Sequence, residues 1–446
     1  MATGLVVRKV TLGGVQNIGW VRGSLNQKKA PALRDNGRGI GAKIYTNQGI
    51  TTARLDDFAG VPLSQSLNPR SFEQTFVGGP VILRAHELLS PNRKVYDRLQ
   101  PSTEETIDFS KLAFGLNKSD VMYFARIKKG GDWELVPATD SFFPFEEFPI
   151  NPAAEVLHYC QTCFEGAKAY MSEKGRIVSF RLGMNAERMM RSAERIALTP
   201  VPAKYHLGAV HGTVLANERL LAPPGLGAAM YVRAFHFGNG PQIGVAPAPE
   251  ETFIVIVSPV GPYFKGGFAT QKMLVEEEFA RSAAGLMGSV KDGANYAGSL
   301  LPGSRAKAKG YAEVIYLDVI AHQYVEEVGA ANAFFVKDGV LYTPRLSGTI
   351  LPGITRDSVI TLARDMGIKV VDDQNVSIDF AMTADEAFCT GTAAVISPVG
   401  SITKGEHVAV FNNSEVGPTT GKLYRTLVDI QEERIPDPYG WVHVIR

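Results

Sequence analysis

Cysteine is scarce in this chain of 446 residues, which contains only Cys160, Cys163 and Cys389. So few cysteines cannot build a disulfide framework, and we expect a reducing intracellular compartment. Cys160 and Cys163 form a C-x-x-C pair, but we expect a strand here, in which residues i and i+3 point to opposite faces. No second pair completes a zinc site. The sequence therefore predicts neither a redox disulfide nor a bound metal.

Long apolar runs are also missing. The longest, such as residues 253–257, match short strands and fall far below the roughly 18 residues of a membrane span. The N-terminus has no continuous apolar segment of the secretory type. The motif G-x-S-x-G, the Walker loop and the motif G-x-G-x-x-G are absent as well. These absences argue against a membrane protein and against the enzymes that those motifs mark.

Charge of one sign is concentrated at the start of the chain. The whole sequence carries a net charge of +1, but residues 1–54 contain nine Lys or Arg residues and one acid, a net charge of +8, which leaves −7 for the remainder. An acidic body repels phosphate, so we do not expect a nucleic-acid binder. The basic segment is typical either of an organelle-targeting peptide or of a disordered extension, and both interpretations stay open.

The length exceeds one ordinary core and favours two domains with an extension. We expect a basic N-terminal extension at 1–106, a small α/β domain at 107–258, an interdomain loop at 259–270 and a large α/β domain at 271–446. Patterns typical of strands and helices occur on both sides of the Pro- and Gly-rich loop. They predict strands at 157–170, 228–237, 252–257, 313–318, 333–336 and 393–396, and helices at 181–198, 356–366 and 422–433. The fold class is therefore α+β or α/β.

Lys291 is a candidate nucleophile in the segment Gly288-Ser-Val-Lys-Asp-Gly-Ala-Asn-Tyr296. The small residues around it let a flat ligand approach closely. A lysine in a desolvated pocket can form a Schiff base with an aldehyde. The alternative is an ordinary lysine in an exposed loop.

Two turns with small residues are candidate anion sites. Leu351-Pro-Gly-Ile-Thr355 leads into a helical pattern from Arg356, with Thr355 as the expected N-cap, and the amides of a helix N-terminus can bind phosphate. Gly391-Thr-Ala393 is a second turn that can offer amides to an anion.

Arg233 lies in the apolar strand pattern Tyr231-Val-Arg-Ala-Phe235. Period two places it on one strand face between Tyr231 and Phe235. An arginine between two aromatic side chains needs an anionic partner. The alternative is an edge strand with the guanidinium in water.

Further charged residues have two interpretations each. Arg188, Arg191 and Arg195 share one side of a predicted helix, where an arginine can bind phosphate bidentately, although a solvated face is the commoner case. Glu326 and Glu327 precede an apolar segment, where a carboxylate can keep a heterocyclic nitrogen protonated. The alternative is a solvated acidic turn.

Together these parts suit a pyridoxal phosphate enzyme. From about Ile107 onward the sequence resembles the branched-chain amino acid aminotransferases, which belong to the class IV aminotransferases and have the two-domain pyridoxal phosphate fold type IV. The resemblance includes His158-Tyr-Cys-Gln-Thr-Cys-Phe-Glu-Gly-Ala-Lys-Ala-Tyr170 and Gly288-Ser-Val-Lys-Asp-Gly-Ala-Asn-Tyr-Ala297. It continues in residues 188–193, 231–233, 261–264, 327–329, 351–356, 391–393 and 417–424.

The resemblance implies a role for each candidate. Lys291 would form the Schiff base and carry the proton, Glu327 would face the pyridine nitrogen, and Tyr296 would bond the phenolic oxygen. The remaining cofactor-binding residues, mostly around the phosphate, would be Arg188, Leu351, Gly353, Ile354, Thr355 and Thr392. The substrate-binding residues would be Tyr159, Phe164 and Tyr231 for the aliphatic side chain, Thr392 and Ala393 for the carboxylate, Arg233 for the distal carboxylate of glutamate or 2-oxoglutarate, and Tyr263 as a cover.

The implied activity is reversible amino transfer between L-leucine, isoleucine or valine and 2-oxoglutarate in a homodimer, with no nucleic acid or membrane partner. The location would be the cytoplasm or, with a targeting peptide, a mitochondrion or plastid. Cys160 and Ala234 stand where the family usually has a small residue and a proline, and Ala394 and Ser397 stand in place of a family C-x-x-C. The alternatives are a D-amino acid aminotransferase, an aminodeoxychorismate lyase-type enzyme of the same fold, or a catalytically silent scaffold.

Overall fold

The computed structural model describes residues 107–133, 141–261 and 268–446, together with the backbone of four N-terminal strands. The chain divides into two units, Met1–Leu83 and Arg84–Arg446. In the first unit, β1 (Val6–Leu12) pairs with β2 (Val15–Val21), and β3 (Gly41–Thr46) pairs with β4 (Gly49–Arg54), both antiparallel. The basic segment therefore contains two β-hairpins, which its composition did not predict.

The second unit mixes strands with helices, as the sequence predicts. Its strands are β5 (Val121–Lys128), β6 (Phe142–Pro144), β7 (Thr162–Met171), β8 (Ile177–Phe180), β9 (Ala229–Gly238), β10 (Glu250–Val260), β11 (Gln271–Val275), β12 (Glu313–Leu317), β13 (Val325–Val328), β14 (Ala331–Lys337), β15 (Val340–Tyr342), β16 (Val370–Val371), β17 (Glu386–Gly391), β18 (Val395–Lys404), β19 (His407–Val410) and β20 (Val442–Val444). Its α-helices are α1 (Glu155–Tyr159), α2 (Leu182–Arg195), α3 (Ala203–Ala216), α4 (Gly293–Ala297), α5 (Leu300–Ala308), α6 (Ile354–Asp365), α7 (Ile378–Ala381) and α8 (Pro418–Gln431). Among the residues that the structure describes, no helix is long and apolar enough to cross a membrane.

The first sheet has the antiparallel order β20-β8-β7-β9-β10-β5-β6. Burial alternates along β9, where Met230 and Val232 are buried while Tyr231 and Arg233 are half-buried. Period two thus sends one set of side chains into a core with Met189 of α2, and the other set towards the candidate site. The predicted placement of Tyr231 and Arg233 on one face is confirmed.

The second sheet is mixed, with the order β13-β12-β11-β18-β17-β14-β15-β16 and β19 beside β18. Because β13 also pairs with β14, six of these strands close into a ring. One core of this part packs α6 and α8 against β14 and β17, where the rings of Phe334 and Phe388 stack with centroids 4.9 Å apart. This closure holds the turns after β13 and β17 in fixed positions.

Local structure around the C-x-x-C pair differs from the prediction. Residues 157–159 belong to helix α1, whose C-cap is Cys160 in the left-handed region at φ 52°, and β7 begins only at Thr162. The two cysteines therefore do not share a strand, and each is a free thiol. A second difference is that residues 393 and 394 form a turn, so that β18 begins at Val395.

The C-terminal strand departs from the expected division at 259–270. Although most of 271–446 builds the second sheet, β20 returns to the first sheet and pairs with β8. The backbone amide of Ile177 donates to the carbonyl of Arg446 at 2.8 Å. His443 of β20 also meets His211 of α3, with Nε2 atoms 2.7 Å apart. Residues 442–446 therefore complete the first sheet at its β8 edge.

This histidine pair predicts an acid-sensitive contact. Burial, followed by the charge of His443, lowers the pKa of His211 from 6.5 to about 4, and burial also lowers the pKa of His443. Below pH 6.5, His211 binds a proton in the unfolded chain but stays neutral in the folded chain. The contribution of the neutral His211 to the free energy of unfolding is therefore complete above pH 6.5 and is lost as pH falls towards 4. Between pH 7 and pH 5, we expect His211→Gln to lose about 2 kcal/mol less free energy of unfolding than the unmodified protein.

Urea unfolding at the two pH values measures this difference. The exposed His407 provides a control, since His407→Gln should follow the unmodified protein. Equal pH dependence in all three proteins would refute a titrating His211.

Candidate active site

A cavity of about 450 Å³ lies between the two sheets of the second unit. The first sheet contributes aromatic and charged side chains from β7 and β9, and the second sheet contributes β13, β17 and the turns that follow them. Its lining residues are Phe114, Phe164, Gly166, Tyr231, Arg233, Met273, Lys291, Tyr296, Glu313, Val328, Ala330, Ala331, Cys389, Gly391, Thr392, Ala393 and Ala394. Seven of the predicted site residues are therefore brought together here: Lys291, Tyr296, Phe164, Tyr231, Arg233, Thr392 and Ala393.

Lys291 is held at this cavity from both ends. Its backbone amide donates to Ser192 Oγ at 3.0 Å, and its carbonyl accepts from the amide of Phe164 at 3.1 Å. Its Nζ donates to the hydroxyl of Tyr296 at 2.8 Å and lies 4.5 Å from the ring centroid of Phe164. The exposed-loop alternative for Lys291 is therefore wrong. A half-buried amine next to a phenol can exchange protons with it and with a bound molecule.

Tyr296 is positioned by the short helix α4. Asp292 caps this helix by accepting from the amide of Ala294 at 3.1 Å, because a carboxylate satisfies a free N-terminal amide. The ring of Tyr296 meets the edge of the Phe164 ring at 4.8 Å. The lysine and the phenol thus come from one segment that folds against β7.

Glu327 is buried on β13, directly before Val328 of the cavity lining, and forms an ion pair with the buried Arg281. Its Oε1 accepts from Asn332 Nδ2 at 3.4 Å. Burial raises the pKa of Glu327 to about 7, against the opposing effects of Arg281 and of the Leu351 amide. Burial also raises the pKa of the neighbouring Glu326, although a hydrogen bond with Thr349 opposes part of this shift. The solvated-turn alternative is wrong for both residues, since neither carboxylate is exposed.

Arg188 is buried on α2 and is not part of a solvated face, unlike the exposed Arg191 and Arg195. Its Nε and Nη2 donate to the two carboxylate oxygens of Glu165 at 2.6 and 2.9 Å. Its Nη1 donates to the carbonyl of Pro352 at 3.1 Å. Arg188 therefore reaches the start of α6 without lining the large cavity.

Helix α6 begins two residues earlier than the sequence predicts, at Ile354 rather than at Arg356. Its N-cap is Gly353, which makes no side-chain cap, so the prediction of Thr355 as the N-cap is wrong. A Cβ at Gly353 would lie 2.0 Å from Asn332 Oδ1, and glycine alone fits there. The first amides of the helix, around Ile354 and Thr355, thus have no capping side chain. A helix N-terminus of this kind suits a phosphate group.

Ile354, Thr355 and Thr392 line a second cavity, of about 20 Å³. It adjoins the large one, because Thr392 lines both. Lys168 also lines it and donates from Nζ to the carbonyl of Ala393 at 2.7 Å. Burial lowers the pKa of Lys168 to about 8. This lysine fixes the turn between β17 and β18.

Arg233 lies on a central strand, so the edge-strand alternative is wrong. Its guanidinium is 4.6 Å from the ring centroid of Phe164 and 5.2 Å from that of Tyr231. Its Nη2 donates to the Tyr231 hydroxyl at 3.1 Å, while its buried Nε has no hydrogen-bond partner. A Cβ at Gly166 would lie 2.2 Å from that hydroxyl. The packing therefore keeps this arginine directed at the cavity.

One predicted substrate residue, Tyr159, is not brought to the cavity. Tyr159 is 43% exposed, and its hydroxyl donates to the carbonyl of Ile243 at 2.5 Å. Tyr263 lies outside the described residues. Sequence reasoning also missed Phe114, whose ring meets Tyr231 at 5.0 Å inside the cavity. It missed the charged partners Glu165 and Arg281 as well, since no role was assigned to Glu165 within its segment of resemblance and Arg281 lies outside those segments.

Comparison with known proteins identifies the family. The model for amino-transferase class IV matches residues 162–402. The chloroplastic branched-chain-amino-acid aminotransferase 5 of Arabidopsis thaliana is 44% identical over 358 residues, which cover 79% of this chain and 85% of that protein. The mitochondrial branched-chain amino acid aminotransferase 1 of Humulus lupulus is 40% identical over 342 residues, which cover 75% and 84%.

A solved structure has the same fold. The T.th. branched-chain amino acid aminotransferase with pyridoxamine 5'-phosphate superimposes with a TM-score of 0.62 at 28% identity, covering 74% of this chain and 99% of that chain. These comparisons confirm the expected fold and a transaminase that uses pyridoxal phosphate, and this chain belongs to the class IV amino-transferase family.

Proposed function

We propose that this protein is a branched-chain amino acid aminotransferase, which transfers the amino group between L-leucine, L-isoleucine or L-valine and 2-oxoglutarate with pyridoxal phosphate. One observation carries the proposal. The Lys291 amine meets the Tyr296 phenol at 2.8 Å inside a cavity that also presents one arginine, Arg233, among aromatic rings. The activities of the two relatives, as their names state them, support the substrates.

The described residues fit the cofactor. Pyridoxal phosphate supplies an electron sink when it is bound. Lys291 would bind its aldehyde carbon, Tyr296 would donate to its phenolic oxygen, and Glu327 would face its ring nitrogen. The uncapped start of α6, with Leu351, Gly353, Ile354 and Thr355, would bind the phosphate together with Arg188 and Thr392.

The walls of the cavity suit the two ends of an aliphatic amino acid, its side chain and its α-carboxylate. Phe114, Phe164 and Tyr231 offer apolar surface to an aliphatic side chain. The amides of Thr392 and Ala393 would bind the α-carboxylate in the turn that Lys168 supports. In each half of the reaction, the Lys291 amine would move a proton to or from the α-carbon of the substrate.

A substrate panel tests the proposal. Purified protein with pyridoxal phosphate is assayed with L-leucine, L-methionine and D-alanine, each with 2-oxoglutarate, and with aminodeoxychorismate alone. We expect the fastest turnover with L-leucine. Turnover of D-alanine alone would favour the D-amino acid enzyme, and release of pyruvate from aminodeoxychorismate would favour the lyase. No turnover of L-leucine would refute the substrate assignment, and no turnover of any compound would indicate a silent relative.

Arg233 is expected to select the dicarboxylic substrate. Its guanidinium is the natural partner of a distal carboxylate, because Nε is buried without a hydrogen bond and the rings of Phe164 and Tyr231 flank it. Arg233→Gln should raise KM for 2-oxoglutarate about a hundredfold, because it removes one charged hydrogen-bonded pair. The rate of the half-reaction with L-leucine should stay within about threefold of the unmodified protein. Stopped-flow measurement of each half-reaction separates these effects, and an equal loss in both would contradict the role.

We infer a homodimer, in which Tyr159 reaches the site of the second subunit. Tyr159 is exposed, and two apolar residues near it are exposed as well: Leu157 on the same helix by 55%, and Ile243, whose carbonyl bonds the Tyr159 hydroxyl, by 86%. Sedimentation equilibrium of the full chain measures the mass, and a monomer at assay concentrations would refute the dimer.

We also propose delivery to a plastid or mitochondrion through the basic residues 1–54. The net charge of +8 and the names of the organellar relatives support this location. Imaging residues 1–106 fused to a fluorescent reporter tests it, and a diffuse cytosolic signal would reject it.

A further inference from the structure

We infer that Glu165 is a positioning residue for the cofactor phosphate, because it fixes the guanidinium of Arg188 against the start of α6. The inference rests on the proposed binding of pyridoxal phosphate. It assigns a function to a buried carboxylate that the reaction itself does not use.

The contacts of Glu165 define a complete cradle. Both carboxylate oxygens accept from Arg188, at 2.6 and 2.9 Å, in a bidentate pair. Oε2 accepts further bonds from Asn185 Nδ2 at 2.9 Å and from the amide of Gly166 at 3.3 Å. Asn185 Nδ2 is also 3.1 Å from the carbonyl of Gly166. Strand β7 and helix α2 thus hold the carboxylate from two sides, and its orientation is fixed.

Arg188 keeps two N–H groups that can still bind a ligand. A guanidinium has five N–H groups, and three of these are donated to Glu165 and to the carbonyl of Pro352. One N–H remains on each Nη atom. Because Nη1 bonds the carbonyl of Pro352, which directly precedes the N-cap Gly353, the guanidinium is anchored at the uncapped start of α6. Fixed donors that converge with helix amides are the arrangement that a phosphate needs.

The negative charge of Glu165 allows a second interpretation of its contact with Arg188. The buried pair is neutral overall, and burial opposes the ionised carboxyl while Arg188 holds the pKa of Glu165 below its ordinary value. A carboxylate so close to an anion site also repels the anion. Glu165 therefore either orients Arg188 for the phosphate or competes with it for Arg188. The geometry favours orientation, since Glu165 occupies only two of the five donors.

The experiment compares two ligands that differ only in the phosphate. Dissociation constants of pyridoxal phosphate and of pyridoxal are measured by equilibrium dialysis against the full-length protein freed of cofactor. The dissociation constant of pyridoxal divided by that of pyridoxal phosphate reports the contribution of the phosphate alone, because both ligands carry the aldehyde that Lys291 would bind. For Glu165→Gln, which keeps the size of the side chain, we expect this ratio to fall about tenfold, as for the loss of one charge-assisted hydrogen bond.

A matched control is available in the same sheet. Glu251 is equally buried and accepts from Thr199 N at 2.8 Å, Thr199 Oγ1 at 2.9 Å and His236 at 3.0 Å, without lining the cavity. Glu251→Gln should leave the ratio unchanged. If Glu165→Gln does not fold, Asn185→Ala removes one bond from the cradle, and a fall of about threefold is expected.

Each outcome is decisive. An increased ratio in Glu165→Gln would show competition and overturn the inference. Equal losses for both ligands, or an equal change in Glu251→Gln, would assign Glu165 to general stability and also overturn it. If the unmodified protein does not prefer pyridoxal phosphate over pyridoxal, the proposed cofactor site itself fails, which is distinguishable from failure of Glu165 alone.

Discussion

Replacing Lys291 by alanine is expected to lower the rate of amino transfer from L-leucine at least about a thousandfold. The change removes the amine that meets Tyr296 at 2.8 Å, and no other lysine lines the large cavity among the described residues. Without it, no group at this position binds the aldehyde or moves the proton. Initial rates with 2-oxoglutarate, together with the visible absorbance of the bound cofactor, measure both losses.

Two comparisons make the result specific to this amine. The exposed Lys309 serves as the control, and Lys309→Ala should keep full activity and absorbance. Added methylamine should restore part of the rate of Lys291→Ala, since a small amine fits the space of the deleted side chain. Undiminished turnover by Lys291→Ala would refute the catalytic assignment.

Replacing Glu327 by glutamine is expected to lower the same rate about a hundredfold. The buried carboxylate would keep the ring nitrogen of the cofactor protonated, and an amide cannot supply that charge. The variant also leaves Arg281 buried without its anionic partner. Loss of one member of a buried pair costs about 3–5 kcal/mol, so we expect a lower melting temperature as well.

The neighbouring Glu326 separates the two effects. It is also buried, but its carboxyl faces Thr349, and Glu326→Gln should keep the rate within about threefold. Assays at a temperature where all variants are folded, checked by circular dichroism, exclude simple unfolding. Equal rate losses in Glu326→Gln and Glu327→Gln would contradict a specific role for Glu327.

Local patterns predicted those parts of the fold and site that depend on neighbours in sequence. The period of β9 placed Tyr231 and Arg233 on one face, and the small residues around Lys291 indicated a close approach of a ligand. The helical period identified α2 and α6 to within a few residues. Their ends were less certain, because Gly353 takes the N-cap position through its close fit against Asn332, a contact 21 residues away in the chain.

The electrostatic partners could not be predicted, because they meet across long stretches of sequence. Glu165 and Arg188 belong to a strand and a helix, and Arg281 reaches Glu327 from a segment without regular structure. Glu165 lies in a segment that carries the family resemblance, but neither its local sequence nor that of Arg281 shows which charged partner it meets. The helix at 155–159 also was not predicted from the sequence. This helix is only five residues long, and Cys160 in the left-handed conformation ends it directly after Tyr159.

The pairing of β20 with β8 has a consequence for biosynthesis. A ribosome releases the chain from its N-terminal end, yet the strand that borders β8 contains residues 442–444, and Arg446 bonds to Ile177. The first sheet therefore keeps an open edge until residues 442–446 have been made and have left the ribosome. During that interval, β8 is free to pair with strands of other chains. A stop codon directly after Gly440 would make this exposure permanent, although every residue that lines the cavity would still be translated.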